Sequence, residues 1–154
     1  MRPSEGPAVT VLPFTAAHIP QAAEIERLCF SDPWSERMLA EHLDNPCSLT
    51  LAAVDEAGGL LGYVGLLAVV DEGYITNVAV HPACRRRGVA SALLGALEDL
   101  GRERALAFLT LEVRQSNAPA RALYEKLGYA PAGLRKNYYE DPREDAVIMT
   151  KTLR

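Results

Sequence analysis

The sequence predicts an α/β (α+β) chain: a mixed, mostly antiparallel seven-stranded sheet with four helices, in which strands four and five run parallel. Three observations carry that expectation. Short β-rich runs bounded by Gly, Pro, Asn and Asp recur along the chain. Three of them, over residues 48–80, are joined by turns short enough to make them antiparallel neighbours. One helical stretch, residues 88–103, then crosses from one β-rich run to the next and leaves the two flanking strands parallel.

Taken in order, residues 8–14 (AVTVLPF) read as the first strand, with residues 1–7 loose. Thr15 opens a turn, and Pro20 suits the first turn of a helix to about Phe30, with Ala22, Ile25 and Leu28 on its buried face. The segment Phe30-Ser31-Asp32-Pro33-Trp34-Ser35 interrupts it. A second helix runs from Ser35 to His42, and Asn45-Pro46 ends that one. Residues 48–55 and 60–70 form a hairpin around Gly58-Gly59, and Asp71-Glu72-Gly73 turns the chain into a central strand at 75–80. His81-Pro82 stops this strand, because proline brings no amide donor to a ladder.

Val89, Leu93, Leu94, Leu97 and Leu100 then recur at helical spacing, and residues 105–114 return to a strand. A fourth helix has Asn117 as cap, Pro119 in its first turn and Gly128 just past its end. Strands at 129–134 and 146–153 follow, with a polar loop between them. With no internal repeat or linker, residues 1–154 read as one domain.

A chain of 154 residues can bury about 68–70% of its unfolded surface. At 49% apolar residues it is too hydrophobic to be disordered, and no run approaches the roughly 20 residues of a spanning helix. The opening MRPSEGPAVTVLPF lacks the long apolar segment of a signal peptide. Cys29, Cys47 and Cys84 are odd in number and widely spaced. Both features point to a reducing cytoplasm. His18, His42 and His81 form no ligand-spaced pair, so no metal is expected. A net charge of −4 argues against direct nucleic-acid binding and suits a basic peptide, though mild acidity also simply favours solubility.

Residues 74–94 (YITNVAVHPACRRRGVASALL) hold the strongest local pattern: strand, basic loop, helix. A helix start presents N–H groups without in-helix acceptors and the positive end of the dipole, which suits a phosphate. Gly88 has no side chain and Ala90 almost none, while Arg85, Arg86 and Arg87 add positive charge. On pattern alone, phosphate binding stands about even with a turn glycine in a solvated basic loop. No Gly-Lys-Ser or Gly-Lys-Thr follows, which argues against a nucleotide-hydrolase loop.

The run Arg85-x-x-Gly88-x-Ala90, directly after a strand ending Val78-Ala79-Val80, resembles the acetyl-CoA loop of the GNAT N-acetyltransferases. The element order β-α-α-β-β-β-α-β-α-β-β is also that family's. Three further segments resemble its ribosomal-protein-alanine branch, the RimI type. They are Phe30-Ser31-Asp32-Pro33-Trp34-Ser35, Leu111-Glu112-Val113-Arg114-x-Ser116-Asn117, and Asn137-Tyr138-Tyr139 with Glu144 to Met149. The resemblance implies acetyl-CoA as donor and CoA as product. It puts the diphosphate at Arg85, Arg86, Arg87, Gly88, Val89, Ala90 and Ser91, and the pantetheine arm along Val78, Ala79 and Val80. It also implies a protein or peptide N-terminus as acceptor, the alanine of a small-subunit ribosomal protein, and an enzyme that is a monomer or weak dimer, away from membranes.

Acetyl transfer to an amine needs a neutral nitrogen, a polarised carbonyl and a proton for the departing thiolate. A free α-amine titrates near 7.7–8.0 and a lysine near 10.4, so the α-amine needs about 3–4 kcal/mol less help with deprotonation. A modest base suffices. In Leu109-Thr110-Leu111-Glu112-Val113-Arg114 the alternation sets Leu109, Leu111 and Val113 on one face and Glu112 on the other. Alternation alone favours a solvated Glu112 paired with Arg114; the resemblance makes Glu112 the base, raised by partial burial or acting through water.

Tyr124 lies beside a stripe of Leu123 and Leu127, and on pattern is a boundary tyrosine with its hydroxyl in water. The resemblance makes it the acid that protonates the CoA sulfur. The Val80 backbone would polarise the carbonyl, and Asn117 would touch the cofactor besides capping its helix. The acceptor walls would be Phe30, Asp32, Pro33, Trp34, Tyr138 and Tyr139, with a core-anchor role for Trp34 equally open. Two rivals stand beside this reading: a small-molecule amine or lysine as acceptor, and a non-catalytic acyl-CoA-binding module.

Overall fold

The structure, a computed structural model, describes residues 9–154. The loose stretch expected at 1–7, and Ala8 of the first strand, lie outside those residues. The elements are β1 Thr10–Pro13, α1 Ile19–Cys29, α2 Glu36–Asp44, β2 Ser48–Val54, β3 Leu60–Val69, β4 Glu72–Val80, α3 Val89–Glu103, β5 Phe108–Arg114, α4 Ala118–Lys126, β6 Ala130–Glu140 and β7 Arg143–Thr152. The seven strands form one sheet in the order β1-β2-β3-β4-β5-β7-β6. β4 and β5 are parallel, with Glu72 opposite Phe108 and Tyr74 opposite Thr110. β1–β2, β2–β3, β5–β7 and β6–β7 pair antiparallel. No helix among the described residues is long and apolar enough to cross a membrane.

The chain divides into two compact units, one comprising the chain up to Leu67 with Thr76–Leu97, the other Ala68–Ile75 with Glu98–Arg154. The core of the first is built from Phe14, Ile25, Leu39, Ala52, Tyr63 and Ala79, with Trp34 packed against it. Pro20 stands in the first turn of α1, and Ser35 caps α2 by accepting from Met38 N at 3.2 Å. The buried face of α1 includes Ala22 and Ile25 as expected but not Leu28. Ile19, Ala22, Ala23 and Glu26 are buried at i, i+3, i+4, i+7 spacing, with Ile25 at the edge of the stripe. Leu28 points away from it and is 52% exposed.

In the second unit β5 alternates as its sequence predicts, with Leu109, Leu111 and Val113 buried. Lys151 Nζ joins Glu98 at 2.6 Å to the last carbonyls of α4, Leu127 O at 2.7 Å. The lysine's hydrogen bond holds the Glu98 carboxyl below its ordinary range. Two expected turns are elsewhere. The β3–β4 turn is Val70-Asp71, with Val70 taking the left-handed φ of +58°. Gly73 belongs to β4, where a Cβ would lie 2.7 Å from Leu109 Cδ2 and 3.0 Å from Leu106 Cδ1; that glycine serves close packing in a strand. The polar stretch expected as a loop after residue 134 is strand as well. Glu140 pairs with Arg143 and Tyr139 with Glu144 across a register irregularity at Arg135–Tyr139, where Asn137 N donates to Asp145 Oδ1 at 2.8 Å. Ladder hydrogen bonds to β7 override the polar composition there.

Candidate active site

In the first unit β4 ends at Val78, Ala79 and Val80, with Ala79 buried and the other two half-buried. His81 N donates to Leu61 O at 2.8 Å, and a tight turn at Pro82–Cys84 leads into the basic loop. Two left-handed residues, Arg86 at φ +64° and Gly88 at φ +76°, bend the loop onto the start of α3. The bond from Ala92 N to Gly88 O at 2.9 Å opens the helix. The N–H groups of Val89, Ala90 and Ser91 precede it, the positions where a helix lacks internal acceptors. A Cβ added to Gly88 would meet nothing within 4 Å, so the backbone is open to approach. Arg85, Arg86, Arg87 and Ser91 are exposed and Val89 is buried. Arg85 Nη2 reaches Cys29 Sγ at 3.5 Å, and that thiol donates to Val80 O at 3.2 Å.

The segment between α1 and α2 belongs to the same unit. Phe30 and Asp32 are exposed, Pro33 and Trp34 half-buried. Trp34 both packs on the core and stands edge-on to His42, with ring centroids 5.4 Å apart. Burial lowers the His42 pKa below that of a free imidazole. Beneath the segment lies a group that sequence reasoning missed. Glu26, 1% exposed, accepts from Trp34 N at 2.9 Å, Tyr63 Oη at 2.5 Å and Asn77 Nδ2 at 3.3 Å. Burial, then the Glu26 charge, drives the Tyr63 phenol far above its ordinary value. Only the helical stripe of α1 could have signalled it, since a glutamate at i+7 stands where an apolar residue is usual.

The second unit holds five of the expected residues, Glu112, Asn117, Tyr124, Tyr138 and Tyr139. Glu112 projects from the face of β5 opposite its buried leucines and is bound by Arg135 of β6, Nε to Oε2 at 3.0 Å. The expected partner, Arg114, is engaged elsewhere. It donates to Glu144 Oε1 at 3.3 Å and to Pro142 O at 2.8 Å, and lies 4.4 Å from the Tyr139 ring centre. Tyr138 and Tyr139 stand edge to face, 5.0 Å apart, on β6 and in no loop. The Tyr139 phenol is pushed above its ordinary value by burial, then by Tyr138, by Glu112 and, more weakly, by Tyr124.

Tyr124 is not the boundary residue its flanking leucines suggest. It is the buried side chain of α4, at 7% exposure, while Leu123 and Leu127 are half-buried. Its ring lies 5.9 Å from that of Tyr129, which is also buried. Burial pushes the Tyr124 phenol up to about 12. Asn117 caps α4, its Oδ1 accepting from Ala120 N at 3.2 Å, and Gly128 follows the helix with φ +100°. Among the described residues no group of three or more His, Cys, Asp or Glu is placed to hold a metal.

Residues 19–129 match the Acetyltransferase (GNAT) family. The [Ribosomal protein bS18]-alanine N-acetyltransferase of Escherichia coli strain K12 is 38% identical over 142 residues, covering 91% of this chain and 95% of that one. The crystal structure of the ribosomal-protein-S18-alanine N-acetyltransferase from Escherichia coli superposes with a TM-score of 0.87 at 36% identity, over 95% of this chain and 94% of that one. Ard1 from Thermoplasma volcanium superposes with a TM-score of 0.87 at 27% identity, over 96% and 99%. With the family matched across most of its length and a bS18-directed relative aligned nearly end to end, the chain belongs to the GNAT family of acetyltransferases, and it is an enzyme of that family.

Proposed function

We propose that this enzyme, working as a single catalytic domain in the cytoplasm, acetylates the N-terminal α-amine of a protein, the natural acceptor being the alanine terminus of ribosomal protein bS18. The observation that carries the reading is the basic loop with its open, left-handed Gly88 at the start of α3, a backbone suited to a diphosphate. Glu112, held by Arg135, is the carboxylate available as base. The acceptor's identity is supported by the 38% identity to the Escherichia coli enzyme named for it.

Acetyl-CoA supplies the acetyl group as a thioester. The loop fits it: an open left-handed Gly88 followed by the amides of Val89, Ala90 and Ser91, with Arg85, Arg86 and Arg87 for charge, would hold the diphosphate. The N–H of Val80 would receive the carbonyl oxygen, an oxyanion-type role, with Val78 and Ala79 alongside the arm. Asn117 would add a cofactor contact to its capping role.

Glu112 takes the proton from the acceptor ammonium, directly or through one water, and Arg135 holds its carboxylate in place. Tyr124 would serve the departing sulfur. A phenol at about 12 giving its proton to a thiolate near 8.5 is uphill by ~5 kcal/mol, against ~2 kcal/mol for an unperturbed phenol. Tyr124 therefore works best by a hydrogen bond that strengthens as charge develops on sulfur, with transfer completed late. Phe30, Asp32, Pro33 and Trp34, and separately Tyr138 and Tyr139, are the residues proposed to meet the acceptor.

Mass spectrometry of short peptides with varied first residues, after incubation with acetyl-CoA, tests this. Acetylation of the α-amine, fastest with alanine first, is the expected result; modification confined to lysine side chains or to small amines would overturn it.

A further inference from the structure

Taking the acceptor reading above as given, we infer that Glu26 is a positioning residue whose side chain holds the Trp34 end of the segment between α1 and α2 and so sets the affinity for the acceptor. Its main-chain oxygen accepts from Phe30 N at 2.9 Å, and its side-chain Oε1 accepts from Trp34 N at 2.9 Å. The first bond closes the last turn of α1, as any residue at that position would; the second is made by the carboxyl and ties Trp34, at the far end of the stretch, to the helix. The other carboxylate oxygen is held by Tyr63 Oη at 2.5 Å and Asn77 Nδ2 at 3.3 Å, from β3 and β4.

The helix does not need this charge for packing. Its buried neighbours Ala22, Ala23 and Ile25 show that apolar side chains fill the same face. A buried carboxylate is strongly disfavoured unless hydrogen-bonded, so the three donors and the segment they fix act as one unit. Glu26 itself touches none of the reacting groups; it acts through Trp34.

Three variants separate this from plain core packing. Glu26→Gln keeps a carbonyl oxygen for the Trp34 amide, Glu26→Met keeps the shape without any acceptor, and Tyr63→Phe leaves the ring in the core and removes one donor. Trp34 is the chain's single tryptophan, so its fluorescence reports the segment alone. Acrylamide quenching of Trp34 should rise about twofold in Glu26→Met and stay near wild type in Glu26→Gln.

The KM for an alanine-led peptide should rise about tenfold in Glu26→Met and about threefold in Glu26→Gln and Tyr63→Phe, while the KM for acetyl-CoA stays within about twofold. Where Glu26→Met fails to fold, Tyr63→Phe carries the comparison. Unchanged quenching in folded Glu26→Met, an unchanged peptide KM in Tyr63→Phe where Glu26→Met does not fold, or equal rises in both KM values would overturn the inference. If the wild-type protein leaves the peptide unmodified, the acceptor reading falls instead, and quenching alone decides whether Glu26 holds the segment.

Discussion

Arg135 Nε lies 3.0 Å from Glu112 Oε2, joining two residues 23 positions apart in the chain. The arginine is 56% exposed and the glutamate 25%, so the pair contributes at most about 1 kcal/mol to folding. Its value is in fixing where the carboxylate points. Arg135→Ala should therefore leave the thermal midpoint within a few degrees of wild type and lower kcat/KM several-fold. A large fall in the midpoint would make the arginine a structural residue instead.

Glu112→Gln removes the proposed base and keeps the side-chain shape. At pH 7 the rate should drop by about 10²–10³-fold. As pH rises past 8 the acceptor amine supplies its own neutral form, so the deficit should narrow. A pH–rate profile of the two proteins on one peptide decides it, and a deficit constant from pH 7 to about 9 argues against a base role.

Tyr124→Phe leaves the ring beside Tyr129 and removes only the hydroxyl. Turnover should fall by roughly 10²-fold, while CoA affinity measured by calorimetry changes by less than about threefold. With the phenol held up at about 12, the wild-type rate should show no basic limb from this group between pH 8 and about 10. Equal losses in affinity and turnover would reduce Tyr124 to packing.

Alkaline stability follows from the same burial. Tyr124 is raised to about 12, and Tyr63, Tyr129 and Tyr139 are raised further, each chiefly by desolvation. A folded-state pKa above the unfolded value near 10 means that the stabilisation is complete below pH 10. It is lost as pH climbs through the folded value, by ~3 kcal/mol for Tyr124 alone. Thermal midpoints should hold to about pH 10 and then fall steeply. Tyrosinate absorbance should appear together with unfolding, and early, non-cooperative titration of most tyrosines would contradict the burial.

Gly88→Ala tests the loop. Its φ of +76° costs a side-chain-bearing residue about 1–2 kcal/mol, and the space above it is open, so the fold should survive. Relaxation of the loop to relieve that strain would turn the amides of Val89 and Ala90, and CoA affinity should fall at least about tenfold. Unchanged CoA binding in a folded variant would remove the loop from the cofactor site.

What the sequence determined by itself was local. Alternation in Leu109 to Arg114, the Asn117 cap with Gly128 beyond the helix, and the break at His81-Pro82 follow from the periods of strand and helix and from the backbone of glycine and proline. These residues act within a turn or two, so composition and spacing suffice to place them. Tertiary structure alone decided which partners polar groups would find. Glu26 could be buried only because Tyr63 and Asn77, 37 and 51 residues away, bring donors to it. Arg114 was drawn to Glu144, 30 residues on, leaving Glu112 to Arg135. A buried carboxyl is tolerable only where distant chain supplies its hydrogen bonds, and periodicity carries no record of that.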